Sequence, residues 1–345
     1  TYFYAVLTSR DQKILEQSGI NKNNLFLLSN PVEVTTFKDT NQRDESSCSK
    51  IRKRLGLKDD LPIMLYPVRA IRRKNIGEIL LLSALFSGKA YWIITREPKN
   101  PLEKPIYEKW VKYAKREHLS VVFNADEKVD FAELYETAFK VVVTSVTEGF
   151  GLAFLEPWIR GKAVTGRNIP DITSDFKNEG IKLDSLYSVL SIPVSSLSNL
   201  SRLETEYSVF LQDIYASYAI EIANGTIKEF LQKKLKEKTI DFADLDILEQ
   251  QYIISEIKRS PELRETIIKE NNLKMILKNP CKKTIEYNKK RIKAVFNLKN
   301  YGKKLNKIYL QMLKIESTEN AHLQDPAEKL IENFTNAKNI RLIKQ

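Results

Sequence analysis

Two stretches of the chain carry residues suited to holding a charged, hydroxyl-rich molecule. In Leu65–Asn75 (LYPVRAIRRKN), Arg69, Arg72, Arg73 and Lys74 cluster where an apolar run ends and a helical pattern begins. Cations at a helix N-terminus oppose the helix dipole, so an anionic ligand that offsets the repulsion is expected there, and a diphosphate fits. For Arg72 and Arg73 an exposed basic loop is the plain alternative. In Val141–Glu156 (VVVTSVTEGFGLAFLE), a Val-rich run leads into a polar turn and then Glu148, Gly149, Phe150, Gly151 and Leu152. The two glycines allow backbone to approach a ligand closely, and the free N–H groups of a helix opening here suit an oxyanion or a sugar hydroxyl. Glu148 and Glu156 are eight residues apart in sequence. In one continuous helix they would share roughly one face, about 12 Å apart, and both could meet one elongated ligand. Solvated helix carboxylates would be the default, but the glycines and the apolar side formed by Leu152, Phe154 and Leu155 favour a site.

These groups need a scaffold, and the surrounding pattern predicts one. Short apolar runs at Tyr2–Leu7, Leu25–Leu28, Ile63–Val68, Ala90–Thr95, Ser120–Phe123, Val141–Thr144 and Ala163–Thr165 alternate with helix-length stretches at Ile76–Phe86, Ile106–Glu117 and Phe131–Ala138. That alternation is expected of an α/β fold with a doubly wound, mostly parallel sheet. Ligands then sit outside the carboxyl ends of the strands, which places Thr144–Gly151 at the mouth of the cleft. The polar, aperiodic segment Pro31–Ser49 reads as a linker. Beyond about Leu197 the strands are expected to stop, with helices over Leu203–Ile222, Thr226–Lys236, Phe242–Lys258, Pro261–Leu277 and Lys282–Val295. The resulting division is 1–35, 36–197 and 198–345.

Composition excludes several classes. The chain has 345 residues, a formal net charge of +12, 42% hydrophobic and 29% charged residues, which permits a large buried core and roughly two domains. Cys48 and Cys281 lie far apart, with no CxxC pair and no Cys/His cluster, so a reducing, cytoplasmic setting is expected and no structural zinc site. There is no GxGxxG after the first strand, no GxxxxGK[ST], no GxSxG and no HExxH. His118, ending a charged helix, and His322, in a polar tail, read as solvated. The first residue is Thr1, so the chain is expected to begin within a longer protein. Asn271–Leu310 holds twelve Lys plus Arg and one acid, Glu286.

Taken in order, LYPVRAIRRKN, VVF (Val121–Phe123), ELYETAFKVVVTSVTEGFGLAFLEPW and GKAV (Gly161–Val164) resemble the donor-binding half of retaining GT-B glycosyltransferases of family 4, including their E-x7-E motif. The opening VLTSRDQKILEQSGI…LFLLSNPVE is similar to the end of such an enzyme's acceptor domain and the crossing into the next. The resemblance covers about residues 1–175 and returns at Arg291–Leu313. It implies a GT-B, Rossmann-like donor domain with a helical C-terminal extension. It further implies that Arg69 and Lys74 bind the donor diphosphate, that Glu148 contacts donor-sugar hydroxyls and that Glu156 binds the ribose. The backbone of Phe150, Gly151 and Leu152, beside Gly149, would lie against sugar and phosphate.

The chain departs from the family at Pro157-Trp158-Ile159-Arg160, at Gly166–Asp171 and at Thr95-Arg96-Glu97-Pro98, and the helices over about Leu203–Leu277 have no counterpart in the common pattern. The activity implied by the resemblance is transfer of a sugar, with retention, from a nucleotide-sugar donor to an unidentified acceptor. No metal and no cofactor beyond the donor substrate are expected, because fixed cations can stabilise the departing diphosphate. The competing reading is a noncatalytic nucleotide-sugar-binding or assembly subunit. The partners expected are the nucleotide sugar, an acceptor and a missing N-terminal acceptor domain, but no nucleic acid. Aromatics spaced through the basic block read first as a buried helical stripe, with peripheral membrane contact as the further alternative.

Overall fold

A computed structural model describes residues 2–33, 45–58, 60–220, 225–235, 238–314 and 327–335. The chain opens with strand β1 (Tyr4–Val6), helix α1 (Ser9–Gln17) and strand β2 (Leu25–Leu27), and the two strands pair in parallel as a small sheet. Helix α2 (Glu45–Leu55) comes next, so the C-terminal end of the expected linker is helical; residues 34–44 of that linker lie outside the described residues.

The main sheet is then built from β3 (Ile63–Arg69), α3 (Ile76–Leu85), β4 (Tyr91–Arg96), α4 (Lys104–Arg116), β5 (Val121–Val122), α5 (Phe131–Thr137), β6 (Lys140–Val143), α6 (Glu156–Ile159), β7 (Val164–Arg167), α7 (Pro170–Asn178) and β8 (Leu186–Tyr187). Its order is β5-β4-β3-β6-β7-β8 with every pairing parallel. This is the expected doubly wound arrangement, and the strand order reverses between β3 and β6. At such a switch point the loops after the two strands splay to opposite faces and leave a crevice. The Arg69–Lys74 stretch and the Glu148 loop leave the sheet there.

Alternation along the buried strands feeds both layers. Ile63, Leu65, Ile93 and Val141 pack with Ile51 and Leu55 of α2 and Leu134 and Tyr135 of α5. Met64, Tyr66, Trp92, Ile94 and Val142 face the larger core under α3 and α4. Every residue of α3 is buried, as its largely apolar sequence requires, and the burial takes in Glu78 and Ser83. Its outer side is covered by Trp110 of α4 and by Gln250, and a Cβ at Gly77 would collide with both.

The expectation that strands stop beyond about Leu197 is corrected by one strand, Thr239–Asp241. Strand β9 (Ser191–Pro193) precedes α8 (Leu200–Ser217) and α9 (Thr226–Leu235), and strand β10 (Thr239–Asp241) returns to pair antiparallel with β9. The ribbon escaped notice because its strands are three residues long and far apart in sequence. Helix α10 (Ile247–Arg259) starts later than expected because Asp246 caps it, accepting from the Glu249 N–H. Helix α11 (Pro261–Glu270) ends where Asn272 turns left-handed (φ 50°), so the expected helix through Leu277 is broken. Helices α12 (Lys282–Val295), α13 (Leu298–Met312) and α14 (Ala327–Phe334) complete the described chain. Among the described residues no helix is long and apolar enough to cross a membrane.

Candidate functional site

The Arg-rich stretch forms the corner between β3 and α3. Arg72–Lys74 make one 3₁₀ turn, and Asn75 at the start of α3 adopts the left-handed region (φ 52°). Three hydrogen bonds tie this corner to neighbouring strands. The Tyr66 hydroxyl donates to the Lys74 carbonyl at 2.8 Å, and the Thr144 hydroxyl reaches the Lys74 and Asn75 carbonyls at 3.0 and 3.2 Å. Burial pushes the Tyr66 hydroxyl well above its ordinary range, so it remains a donor.

The β6 loop meets the corner from the other side of the switch point. The Val146 N–H donates to the Arg73 carbonyl at 3.0 Å, and Glu148 turns inward between two cations. One Glu148 carboxylate oxygen takes Lys74 Nζ, and the other takes Arg73 Nη1 at 2.9 Å. Lys74 and Glu148 are both largely buried, at 11% and 8% side-chain exposure, so little water screens the pair. Burial pushes the Glu148 carboxyl up, but the charge and hydrogen bond of Lys74, with Ser145 and Arg73, leave it below the ordinary glutamate value. Burial likewise draws Lys74 below the usual lysine range against the opposing pull of Glu148. The side chain of Arg69, half-buried at the end of β3, makes no hydrogen bond or ion pair among the described residues. The other arginine of the cluster, Arg72, is held by Glu103, which accepts from its N–H at 2.9 Å and its Nε at 3.1 Å.

The Glu148–Glu156 span departs from the single helix expected. Gly149 and Phe150 form a bend, Gly151 is left-handed (φ 90°), Leu152–Phe154 make a 3₁₀ turn, and only Glu156 starts a helix. The shared-face geometry therefore does not apply. Pro157 in the first turn of α6 carried the signal, since proline is at home there and marks a helix start. Gly151 is required: besides the left-handed backbone, a Cβ would lie 2.9 Å from Ile172 Cγ2. Gly149 faces open space, with no atom within 4 Å of where a Cβ would be. The Phe150 ring turns inward, edge-on to Phe176 at 5.4 Å and to Phe296 at 6.1 Å, so its backbone is what the loop presents outward. Leu152 is partly buried against the core.

Glu156 does not join the Lys74–Glu148 cluster. It lies near Arg160, Tyr135 and Glu33, and burial, only partly countered by Arg160 and reinforced by Glu33, pushes its carboxyl above the ordinary value. Arg160 stacks on Tyr135 at 4.6 Å. The structure thus brings Lys74 and Glu148 together and adds Arg73 as a second partner, with Arg69 at the end of the same strand and Glu156 further along the β6 loop. Sequence reasoning did not single out Tyr66 or Ser145, which hydrogen-bond each other at 2.8 Å beneath the corner; a Tyr in an apolar strand gives no signal, and Ser145 stood only within the Thr144–Gly151 turn. Among the described residues no group of three His, Cys, Asp or Glu could hold a metal ion.

The basic block divides between two surroundings. Phe296 belongs to the aromatic cluster under the β6 loop, whereas Tyr287 sits beneath Lys182 Nζ at 4.4 Å and Tyr309 is exposed. His118 lies just after α4, and His322 lies outside the described residues. Both cysteines are free thiols.

No model of a known protein family matches the chain. The mannosylglucosyl-3-phosphoglycerate synthase of Petrotoga mobilis is 27% identical over 362 residues, covering 99% of this chain and 68% of its own length. A solved glycosyltransferase from Rickettsia africae matches with a TM-score of 0.51 at 16% identity, over 91% of this chain and 64% of that one. The chain therefore spans just under two thirds of that solved relative. The fold is of the GT-B type, and similarity along nearly the whole chain to a curated synthase supports an enzyme of the glycosyltransferase kind.

Proposed function

We propose that the chain carries the donor site of an enzyme that moves a sugar from a nucleotide sugar to an acceptor, with retention of anomeric configuration. The observation that supports this best is the meeting of Lys74, Arg73 and Glu148 where the sheet order reverses, with the Arg69 side chain unpaired at the end of β3, the strand that leads into this corner. As the glycosidic bond breaks, negative charge grows on the departing diphosphate. Cations already in place stabilise it without reorganising at the moment of reaction. Arg69 and Lys74 take that role, and they supply it without a bound metal. Glu148, kept ionised by its cations, accepts hydrogen bonds from donor-sugar hydroxyls and holds the ring against the open backbone at Gly149. Glu156 is half-buried, its carboxylate has no hydrogen-bond partner among the described residues, and it accepts from the ribose hydroxyls.

The family 4 assignment and retention rest on the E-x7-E resemblance. The name of the Petrotoga relative suggests the first substrates to try: mannose and glucose nucleotides as donors, and a phosphoglycerate-type acceptor. The test is release of nucleoside diphosphate by the longest natural form of the protein, with and without acceptor and with and without EDTA. Acceptor-dependent release that survives EDTA and falls in Glu148→Gln is expected. Donor binding without any acceptor-dependent release would instead favour a noncatalytic sugar-nucleotide-binding subunit.

A further inference from the structure

Behind the Lys74 corner lies a second charged group that the donor-site reading does not use. Glu78, in the first turn of α3, is fully buried, and Arg167, at the end of β7, is 2% exposed. The Arg167 guanidinium takes Glu78 along one edge, through Nε at 3.0 Å and Nη2. It takes Asp241 of β10 along the other, through Nη1 and Nη2 at 2.8 Å each. Both edges are bidentate, which fixes the planar fork in one orientation. Glu78 is completed by the Tyr187 hydroxyl at 2.7 Å and by Asn75 Nδ2 at 2.8 Å.

The last of these bonds reaches the site. Asn75 is the residue after Lys74, its backbone is left-handed (φ 52°), and its Oδ1 is buried with no hydrogen-bond partner. The bond to Glu78 is therefore what holds the Asn75 side chain. A buried ion cluster of this kind contributes little to stability alone, because apolar residues of similar size often serve as well. Its position beside Lys74 gives it a different use. We infer that Asp241 is a positioning residue for Lys74, acting through Arg167, Glu78 and Asn75, so that the β9–β10 ribbon, and with it the region the common family pattern lacks, completes the donor-diphosphate site. This rests on the donor-site reading.

The test is calorimetric titration of the chain with inorganic pyrophosphate and with UDP, GDP and ADP. Asp241→Asn, which keeps the shape and removes the charge, should weaken pyrophosphate and the preferred nucleotide alike by about tenfold, the size expected for one disturbed polar contact. In a Lys74→Ala background the same change should cost almost nothing, because the effect runs through Lys74. Arg202→Ala breaks a neighbouring ion pair in the same region, to Asp246 and Glu249, and should lower the melting temperature while leaving both affinities unchanged. Tyr187→Phe is the milder second variant if Asp241→Asn fails to fold, and it should act in the same direction. Three results would overturn the inference: unchanged affinity in a folded Asp241→Asn, an equal loss in Arg202→Ala, or losses that simply add in the double variant. A wild-type chain that binds neither pyrophosphate nor any of the nucleotides would instead overturn the donor-site reading, and the inference with it.

Discussion

Around Asn75 two charged clusters meet that use the same residue types in different ways. On the inner side, Arg167, Glu78, Asp241, Tyr187 and the Asn75 amide nitrogen hydrogen-bond one another in a buried setting. On the outer side, Lys74 and Arg73 share Glu148, Gly149 faces open space and Arg69 has no described partner. The inner cluster is closed: the Arg167 guanidinium is held by carboxylates on both edges, and Glu78 would be left as an uncompensated buried charge if Arg167 were removed. The outer one combines cations, one of them unpaired, with backbone that faces open space. A closed cluster stabilises a conformation, whereas an open one is poised for a ligand, and mutation should separate the two consequences.

The largest effect should come from breaking the closed cluster. Arg167→Ala leaves the fully buried Glu78 without its counter-charge, and urea unfolding should show a loss of about 3–5 kcal/mol. A loss under about 1 kcal/mol, the size of an exposed ion pair, would mean that water reaches the cluster and that the contrast is false. On the open side, Glu156→Gln should leave stability nearly unchanged but weaken a nucleotide with an intact ribose by about 1.5–3 kcal/mol more than it weakens pyrophosphate, since only the ribose offers hydroxyls to the carboxylate. Equal losses would mark Glu156 as structural.

A smaller effect sharpens the contrast from a third place. Lys140, at the start of β6 and remote from both clusters, is buried against two backbone carbonyls, Met275 at 3.1 Å and Ile276 at 3.0 Å, with no carboxylate among the described residues to hold its charge. Burial, with a lesser push from Lys278, lowers it to about 8. Between about 8 and the ordinary lysine value of 10.5 the unfolded chain binds more protons than the folded one, so stability should rise with pH across that window. Lys140→Met should flatten the rise. A wild-type stability that falls there would show that the ammonium is favourably held.

The uneven legibility of these regions in the sequence has physical causes. The corner after β3 and the loop after β6 could be placed because buried parallel strands write themselves as apolar runs, and polar turns between such runs and helices mark their carboxyl ends. The convergence of Lys74 and Glu148 was legible only as a resemblance, since nothing local to either residue announces a partner 74 positions away. The closed cluster was not legible at all. Arg167 appeared only as part of a departure from the family's usual loop, and Asp241 sits on a three-residue strand just before a stretch that reads as the start of a helix. The helical reading of Glu148–Glu156 failed because periodicity was extended across two glycines and up to a proline, where backbone geometry rather than side-chain pattern decides.

Arg69 offers the most direct test of the open site, because its removal breaks no described contact. Calorimetric titration of the wild-type chain, Arg69→Ala and Lys74→Ala with UDP, GDP and ADP should show the preferred nucleotide binding about 1.5–3 kcal/mol more weakly in each variant, the worth of a charge-assisted contact. Arg69→Ala should do so with its melting temperature unchanged. Full wild-type affinity in both variants would contradict the assignment of this corner as a diphosphate site.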